Sequence, residues 1–267
     1  MTRRILRLAA ALLASTVNPL EAGAIVVPTD QPTIQAAIDA AGTGDIVLVA
    51  PGTYFENIDF KGKAITVTSE QGPEVTVIDG NHLGAVVTFA SGEGPASVLS
   101  GFTIQHGRNS LDEGGGINVQ NSSPVISGNV ITGNRGCGGG GIKIIFGSPT
   151  VIKNLITGND ASGCSGGRGG GVSVQGNSAA EIRRNVISNN KAGDAGGIFL
   201  NDAGTPTIKN NVISGNSVFG IPGEGGGMQI MNASNALIIQ NVITNNKAGQ
   251  GGGISWGARP VSRAPCS

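Results

Sequence analysis

The stretch 185-NVISNN-190 recurs with small changes as 129-NVITGN-134, 154-NLITGN-159, 211-NVISGN-216 and 241-NVITNN-246, always with two asparagines five residues apart. Working outward from it, a longer unit repeats from Gly114 onward. Each copy opens with glycines and an aliphatic pair two apart: Ile117/Val119, Ile142/Ile144, Val172/Val174, Ile198/Leu200 and Met228/Ile230. A second aliphatic (Ile126, Val151, Ile182, Ile208, Ile238) lies three residues before the first asparagine. A third (Ile131, Ile156, Ile187, Ile213, Ile243) sits inside the motif.

A spacing of two puts paired aliphatics on one face of a strand, and glycine and asparagine at the segment ends supply turns. Strands this short cannot bury that face alone. Stacked as coils, equivalent aliphatics form inner ladders, each side chain contributing about 1.5 to 3 kcal/mol when fully buried. The expected fold is all-β, a single-stranded parallel β-helix (solenoid) of about eight or nine coils and near 40 Å long at the usual strand spacing. Asparagine tolerates the left-handed conformation that sharp corners need, and stacked amides can bond to one another. Asn129, Asn154, Asn185, Asn211 and Asn241 are therefore expected to form one ladder. Asn134, Asn159, Asn190, Asn216 and Asn246 form the second.

Domain organisation follows from where the pattern starts and stops. Residues 1–24, with Arg3, Arg4 and Arg7 before an apolar run and Ala22-Gly23-Ala24 after it, read as a secretory signal peptide. Residues 25–256 are the β-helix domain: a cap at 25–45, irregular coils at 46–113 and regular Asn-X-Ile-X-X-Asn coils at 114–256. In the cap, 31-QPTIQAAIDAAGTGD-45 predicts a short helix with Pro32 near its first turn and Gly42 as its stop. The tail 257–267 abandons the pattern, as an improvised cap or an interrupted chain. No later segment has the roughly 20 apolar residues of a membrane-spanning helix. A secreted, periplasmic or cell-surface location is expected.

The chain carries 17 basic and 17 acidic side chains; without its first 24 residues the balance is slightly acidic. That excludes an electrostatic case for nucleic acid. With 46 glycines and nine aromatics among 267 residues, an ordinary globular core is excluded too.

Two features carry a family likeness. The string 27-VPTDQPTIQAAIDAAGTGDIVLVAPGTYFENI-58, followed by the Asn-X-Ile-X-X-Asn coils, resembles exported right-handed parallel β-helix proteins of the pectin-lyase-like superfamily. The resemblance implies the right-handed twist and an association with acidic polysaccharides. Within it, 52-GTYFE-56 resembles the Gly-X-Tyr-X-Glu motif of pectin methylesterases, which in that family is an early coil and not the catalytic centre. The Gln-Asp and Asp-Phe motifs that carry esterase chemistry are missing, as are the polygalacturonase and pectate-lyase motifs. The glycine-isoleucine repeats are also similar to passenger regions of bacterial adhesins.

Candidate chemistry is scattered. A glycosidase needs two carboxyl groups about 5 to 9.5 Å apart, and the candidates are Asp112, Glu113, Asp160, Asp194 and Glu224. Lyase or epimerase chemistry needs a base beside a neutralised uronate, which singles out His82, His106, Arg135, Lys143 and Arg168. His106 is read at the second-asparagine slot. Phe146, Phe199 and Phe219 are outward candidates for sugar stacking. Neither histidine has a partner at metal-ligand spacing, and no cofactor is expected; acidic loop residues leave calcium open, although the calcium-binding nonapeptide is absent. Long loops leave alternate coils at 160–171 and 217–227, making that edge the favoured surface. There Cys137 and Cys164 occupy the same gap on consecutive coils, a candidate disulfide. Phe102, Val130, Leu155, Val186, Val212 and Val242 form a candidate outward apolar stripe for a protein partner.

These features lead to a β-helix scaffold or binding module for a cell-surface or extracellular polysaccharide. The alternatives are a lyase, epimerase or hydrolase acting on uronic-acid polymers, and a surface protein that binds another protein. No complete catalytic motif decides between them.

Overall fold

A computed structural model describes residues 22–109, 113–163, 166–219 and 223–257. Residues 1–21, most of the segment read as a signal peptide, and residues 258–267 lie outside them. The described residues form one helix, Ile34–Ala40, and thirty strands of two to four residues. These stack into four parallel sheets of a right-handed solenoid of about nine turns. Among the described residues, the first sheet has nine strands, from Ala24–Val27 to Leu237–Ile239. The second has eight, from Gly52–Phe55 to Val242–Thr244, and the third eight, from Ile58–Asp59 to Ile254–Trp256. The fourth has five, from Arg108–Asn109 to Ser217–Val218.

Register converts the sequence pattern into a core. On the first sheet Ile126, Val151, Ile182 and Ile208 align, and on the second Ile104, Ile131, Ile156, Ile187 and Ile213. The paired aliphatics line the third sheet, from Ile117/Val119 to Met228/Ile230. All are buried, at 0 or 1 % exposure. The three aliphatic positions of the repeat thus point into one continuous core.

Both asparagine ladders exist, and their role is hydrogen bonding. Each Oδ1 accepts the backbone N–H of its counterpart one coil earlier, as Asn154 does from Asn129 at 2.9 Å and Asn159 from Asn134 at 3.1 Å. Each Nδ2 donates to the carbonyl of a core aliphatic on that coil, Asn154 to Ile126 and Asn159 to Ile131, both at 2.9 Å. The left-handed conformation expected of these asparagines belongs instead to the residue before each. Lys153 (φ 57), Arg184 (φ 57) and Asn210 (φ 57) turn the chain into the first ladder. Gly133, Gly158, Asn189 and Gly215 turn it into the second. The amide side chain must point inward to reach the neighbouring backbone, and the corner is made one residue earlier.

The helix covers the first rung with Ile34, Ala37 and Ile38 buried. Its N-cap is Thr33, whose Oγ1 accepts from Ala36 N–H at 3.1 Å. Pro32 therefore lies outside the first turn, and the helix stops at Ala41 rather than Gly42. The 52-GTYFE-56 stretch explains itself here. Glu56 accepts the N–H groups of Ile34 and Gln35 at 2.9 Å each, satisfying the helix start, while the Tyr54 hydroxyl donates to the Ala50 carbonyl. Lys63 Nζ closes the other end by donating to the carbonyls of Ile38, Asp39 and Ala41.

Glu93 is the most deeply held of the carboxylates in the irregular coils, at 2 % exposure. Burial opposes its ionisation, but donors from Ser122 Oγ, Gly62 N and Ser91 N outweigh it and hold the carboxyl below its ordinary value of 4.5. A group depressed on folding contributes stability above its unfolded value and loses it as pH falls through the folded one. The melting temperature is expected to drop below about pH 4.5, and the deficit of Glu93→Gln relative to wild type to shrink across that window. A deficit constant from neutral pH to about pH 3 would contradict the assignment.

Candidate functional site

After each second asparagine the chain enters a two-residue strand of the fourth sheet, and alternation turns the first residue out and the second in. Gly136, Ala161 and Ala192 are the inward members, all buried. Their partners stack in register: Arg108 on Arg135, Arg135 on Asp160, Asp160 on Lys191, and Lys191 on Ser217, with Lys247 bridged to Ser217. Four cations and one carboxylate therefore stand in a single outward row, at the usual spacing of about 4.8 Å per coil. In a chain of zero formal charge, this is a local concentration of positive potential.

Two adjoining hollows follow this row. One, of about 430 Å³, is lined by His82, His106, Arg108, Gly133 and Arg135. The next, of about 310 Å³, shares Gly133 and Arg135 and adds Asn134, Gly158, Asn159, Asp160, Asn189 and Lys191. The left-handed corners Gly133 and Gly158 line them without adding side chains.

At the upper end lies a dyad. His106 Nδ1 is 2.8 Å from Asp79 Oδ2, and the rings of His82 and His106 are 5.3 Å apart between centroids. Asp79 is buried to 6 % exposure and also accepts from Asn81 N–H and Gln105 Nε2. Burial raises its pKa, but those donors with the His106 ring prevail and keep the carboxyl below the usual range. An ionised Asp79 can only accept, so Nδ1 is the ring nitrogen that donates to it, and Nε2 is the nitrogen turned away from that bond. The His106 side chain is 46 % exposed in the hollow.

Of the described catalytic candidates singled out from sequence, His82, His106, Arg135 and Asp160 are brought to this groove, and Glu113, Lys143, Arg168, Asp194 and Glu224 are not among its lining. His106 is one position from its expected slot: Ile104 aligns with Ile131, so His106 stands opposite Gly133 and Gly107 opposite Asn134. Lys143 is buried at 3 % exposure and Asp194 likewise. Arg168 lies over the Phe199 ring, 5.4 Å from its centroid. Phe199 is itself buried, so of the stacking candidates Phe146 and Phe219 alone are exposed. Glu224 accepts from Gln229 and Ser255, and Glu113 from Asn109. Asp112 lies outside the described residues. Among the described residues no cluster of three or more His, Cys, Asp or Glu could hold a metal. Sequence reasoning passed over Asp79, Arg108, Lys191 and Lys247. Extending the coil register back through Ile78 and Ile104 would have placed Asp79 beside Gln105 and hence next to His106.

The apolar stripe changes as well. Phe102 is fully buried and occupies the first-asparagine slot, its N–H donating to Asn129 Oδ1 at 3.0 Å. Thr103 takes the place opposite Val130. What remains outward, Leu155, Val186 and Val212, is 37 to 40 % exposed, rising to 56 % at Val242. Beside it runs a second row of Thr132, Thr157, Ser188, Ser214 and Thr244. The stripe is one residue wide. Cys137 is disulfide-bonded, while Cys164 and Cys266 lie outside the described residues. The favoured long-loop edge is where the fourth sheet forms; Asn118, Lys143, Ser173, Phe199 and Gln229 of the third sheet are buried, with Arg168 over Phe199 and Glu224 accepting from Gln229.

The sequence profile of the family described as "Right handed beta helix region" matches residues 74–259. The chain belongs to the right-handed β-helix family. No curated protein sequence matches it significantly. Among solved structures, this β-helix protein is similar to pectin methylesterase from carrot, at 14 % identity and a TM-score of 0.53 over 91 % of this chain and 89 % of that one. It is also similar to a pectin methylesterase in complex with hexasaccharide VII, at 10 % identity and a TM-score of 0.51 over 82 % of each chain. At such identities the likeness is one of fold. No helix among the described residues of the β-helix protein is long and apolar enough to cross a membrane.

Proposed function

We propose that this chain is an exported β-helix module that binds an acidic polysaccharide along the row Arg108, Arg135, Lys191 and Lys247. The observation that carries the reading is the register of the fourth sheet, which sets one outward cation on most successive coils beside two adjoining hollows. A polymer with a carboxylate on every sugar presents charge at intervals along an extended chain, and a straight solenoid offers the matching extended row. The pectin methylesterase structures of the same fold, one of them with a hexasaccharide, are consistent with a saccharide on such a scaffold. A secreted, periplasmic or surface location accords with reading residues 1–24 as a signal peptide. Because the site is open to solvent, its electrostatics are screened by salt over about 10 Å at 0.1 M.

Affinity electrophoresis or calorimetry with polygalacturonate tests this. Binding is expected to weaken with salt and to vanish for the fully methyl-esterified polymer, which has the same backbone without charge. The double variant Arg135→Gln, Lys191→Gln is expected to bind about tenfold more weakly, or ~1.4 kcal/mol. Equal binding of charged and esterified polymer, or an unaffected double variant, would remove the proposal.

A further inference from the structure

The charges of this chain are divided along its axis. Residues 22–107 carry nine acidic and two basic side chains, whereas residues 108–267 carry twelve basic and seven acidic ones. Because the coils stack in sequence order, the rod is acidic toward its helical cap and basic toward its other end. We propose that two copies of this chain pair side by side and antiparallel along the edge where the first sheet turns into the second, each setting its acidic half against the basic half of the other.

The register of that edge supplies the specific contacts. On successive coils the corner is made by Gly101, Gly128, Lys153 and Arg184, each in the left-handed conformation. One coil before Gly101 the same corner is widened by residues 70–75, which bear Glu70 and Glu74. All four charged side chains are exposed and make no ion pair among the described residues. Neighbouring Glu181 differs, holding Arg183 at 2.9 Å and Lys209 at 2.8 Å within the molecule. The carboxylates stand three to four coils from Lys153 and Arg184, about 14 to 19 Å at the usual spacing, so these groups cannot meet within one molecule.

A two-fold axis at the level of Gly101 and Gly128 brings them together twice, Glu70 and Glu74 of each copy meeting Lys153 and Arg184 of the other. The corner residues on the axis have no side chains to hold the edges apart. Leu155, Val186 and Val212 run exposed beside the corner, and Val75, next to Glu74, is 45 % exposed. The same rotation sets Val75 of one copy against Leu155 and Val186 of the other, which adds apolar burial to ion pairs that are individually weak at a surface. Head-to-tail stacking would also match the net charges, but it leaves this edge unpaired, and the helix already covers the first rung. On the binding reading above, the pair presents two antiparallel cation rows, because the fourth sheet lies across the second sheet from this edge.

Sedimentation velocity of the full chain across the micromolar range tests this. A dimer is expected at low salt and a monomer at about 1 M, where charges are screened beyond about 3 Å. The double variants Lys153→Glu, Arg184→Glu and Glu70→Lys, Glu74→Lys are each expected to pair at least about a hundredfold more weakly, since like charges then face each other. Mixing the two restores opposite signs at both contacts, and the dimer is expected to return. Each exchange puts one long side chain in place of another, and melting temperatures confirm that both variants fold. A monomer throughout at low salt, a dimer that persists in either double variant, no dimer on mixing, or salt-sensitive species larger than a dimer overturns the proposal. None of these outcomes touches the binding reading, whose row is unchanged in both variants.

Discussion

Asn159→Ala is expected to destabilise the protein by about 2 to 6 kcal/mol, a large part of the roughly 5 to 15 kcal/mol that holds a typical domain together. The reason is a count of groups left without partners. Asn159 is 1 % exposed; its Oδ1 accepts the backbone N–H of Asn134 at 3.1 Å, and its Nδ2 donates to the Ile131 carbonyl at 2.9 Å. Asn159 is itself enclosed between two coils, so water has no ready path to the groups it would leave. Each orphaned buried group costs about 1 to 3 kcal/mol. Asn246→Ala removes the equivalent bonds, to Asn216 N–H and the Ile213 carbonyl at 2.9 Å each, on the last rung, where the asparagine is only half-buried. There solvent can substitute, and a loss of about 1 kcal/mol is expected. Urea denaturation of the two variants measures the difference; equal losses would show that the ladder is not what holds the mid-stack coils.

Gly141→Ala is expected to cost about 3 kcal/mol, at the upper end of overpacking penalties. A Cβ at Gly141 would stand 2.6 Å from the Gly171 carbonyl oxygen, 3.0 Å from Ile156 Cγ2 and 3.1 Å from Asn159 Nδ2. Backbone on the next coil cannot move aside without opening the stack. The same approach recurs at Gly116, Gly171, Gly197 and Gly227, each meeting a glycine carbonyl of the following coil between 2.3 and 2.8 Å. These glycines, just before the paired aliphatics, are thus kept for close contact between coils and not for an unusual turn. The control is Gly94, where an added Cβ meets nothing within 4 Å. Gly94→Ala is expected to be neutral or stabilising by about 0.4 to 1 kcal/mol, through the unfolded chain alone. Thermal melts of both variants check the opposite signs; a neutral Gly141→Ala would mean that the coils separate freely.

The architecture was legible because a solenoid repeats its energetics. Every regular coil solves the same burial problem, so Ile131, Ile156, Ile187 and Ile213 appear at the same place in each copy, and their spacing is the fold. The site was less legible because it sits where the repeat is weakest. His106 and Phe102 belong to a degenerate coil, and an error of one residue there exchanges inward and outward faces. Phe102 thereby looked like part of an outer stripe, and His106 like a ladder member. Asp79 lies on a coil whose register with the regular ones no local pattern announces. Arg108, Arg135, Lys191 and Lys247 are unremarkable as isolated surface charges, and they become a row only when the coils are stacked.

The sequence alone therefore determined the coil, its core ladders and its asparagine hydrogen-bonding positions, since these depend on period and on what each residue can bury or bond. Tertiary structure decided which residue makes each corner, that Glu56 and Lys63 close the helical cap, and that Asp79, His106, Arg108 and Arg135 share one hollow. Those are matters of register between distant segments. In a parallel stack, register is set by the packing of whole coils on one another and by no single stretch of chain.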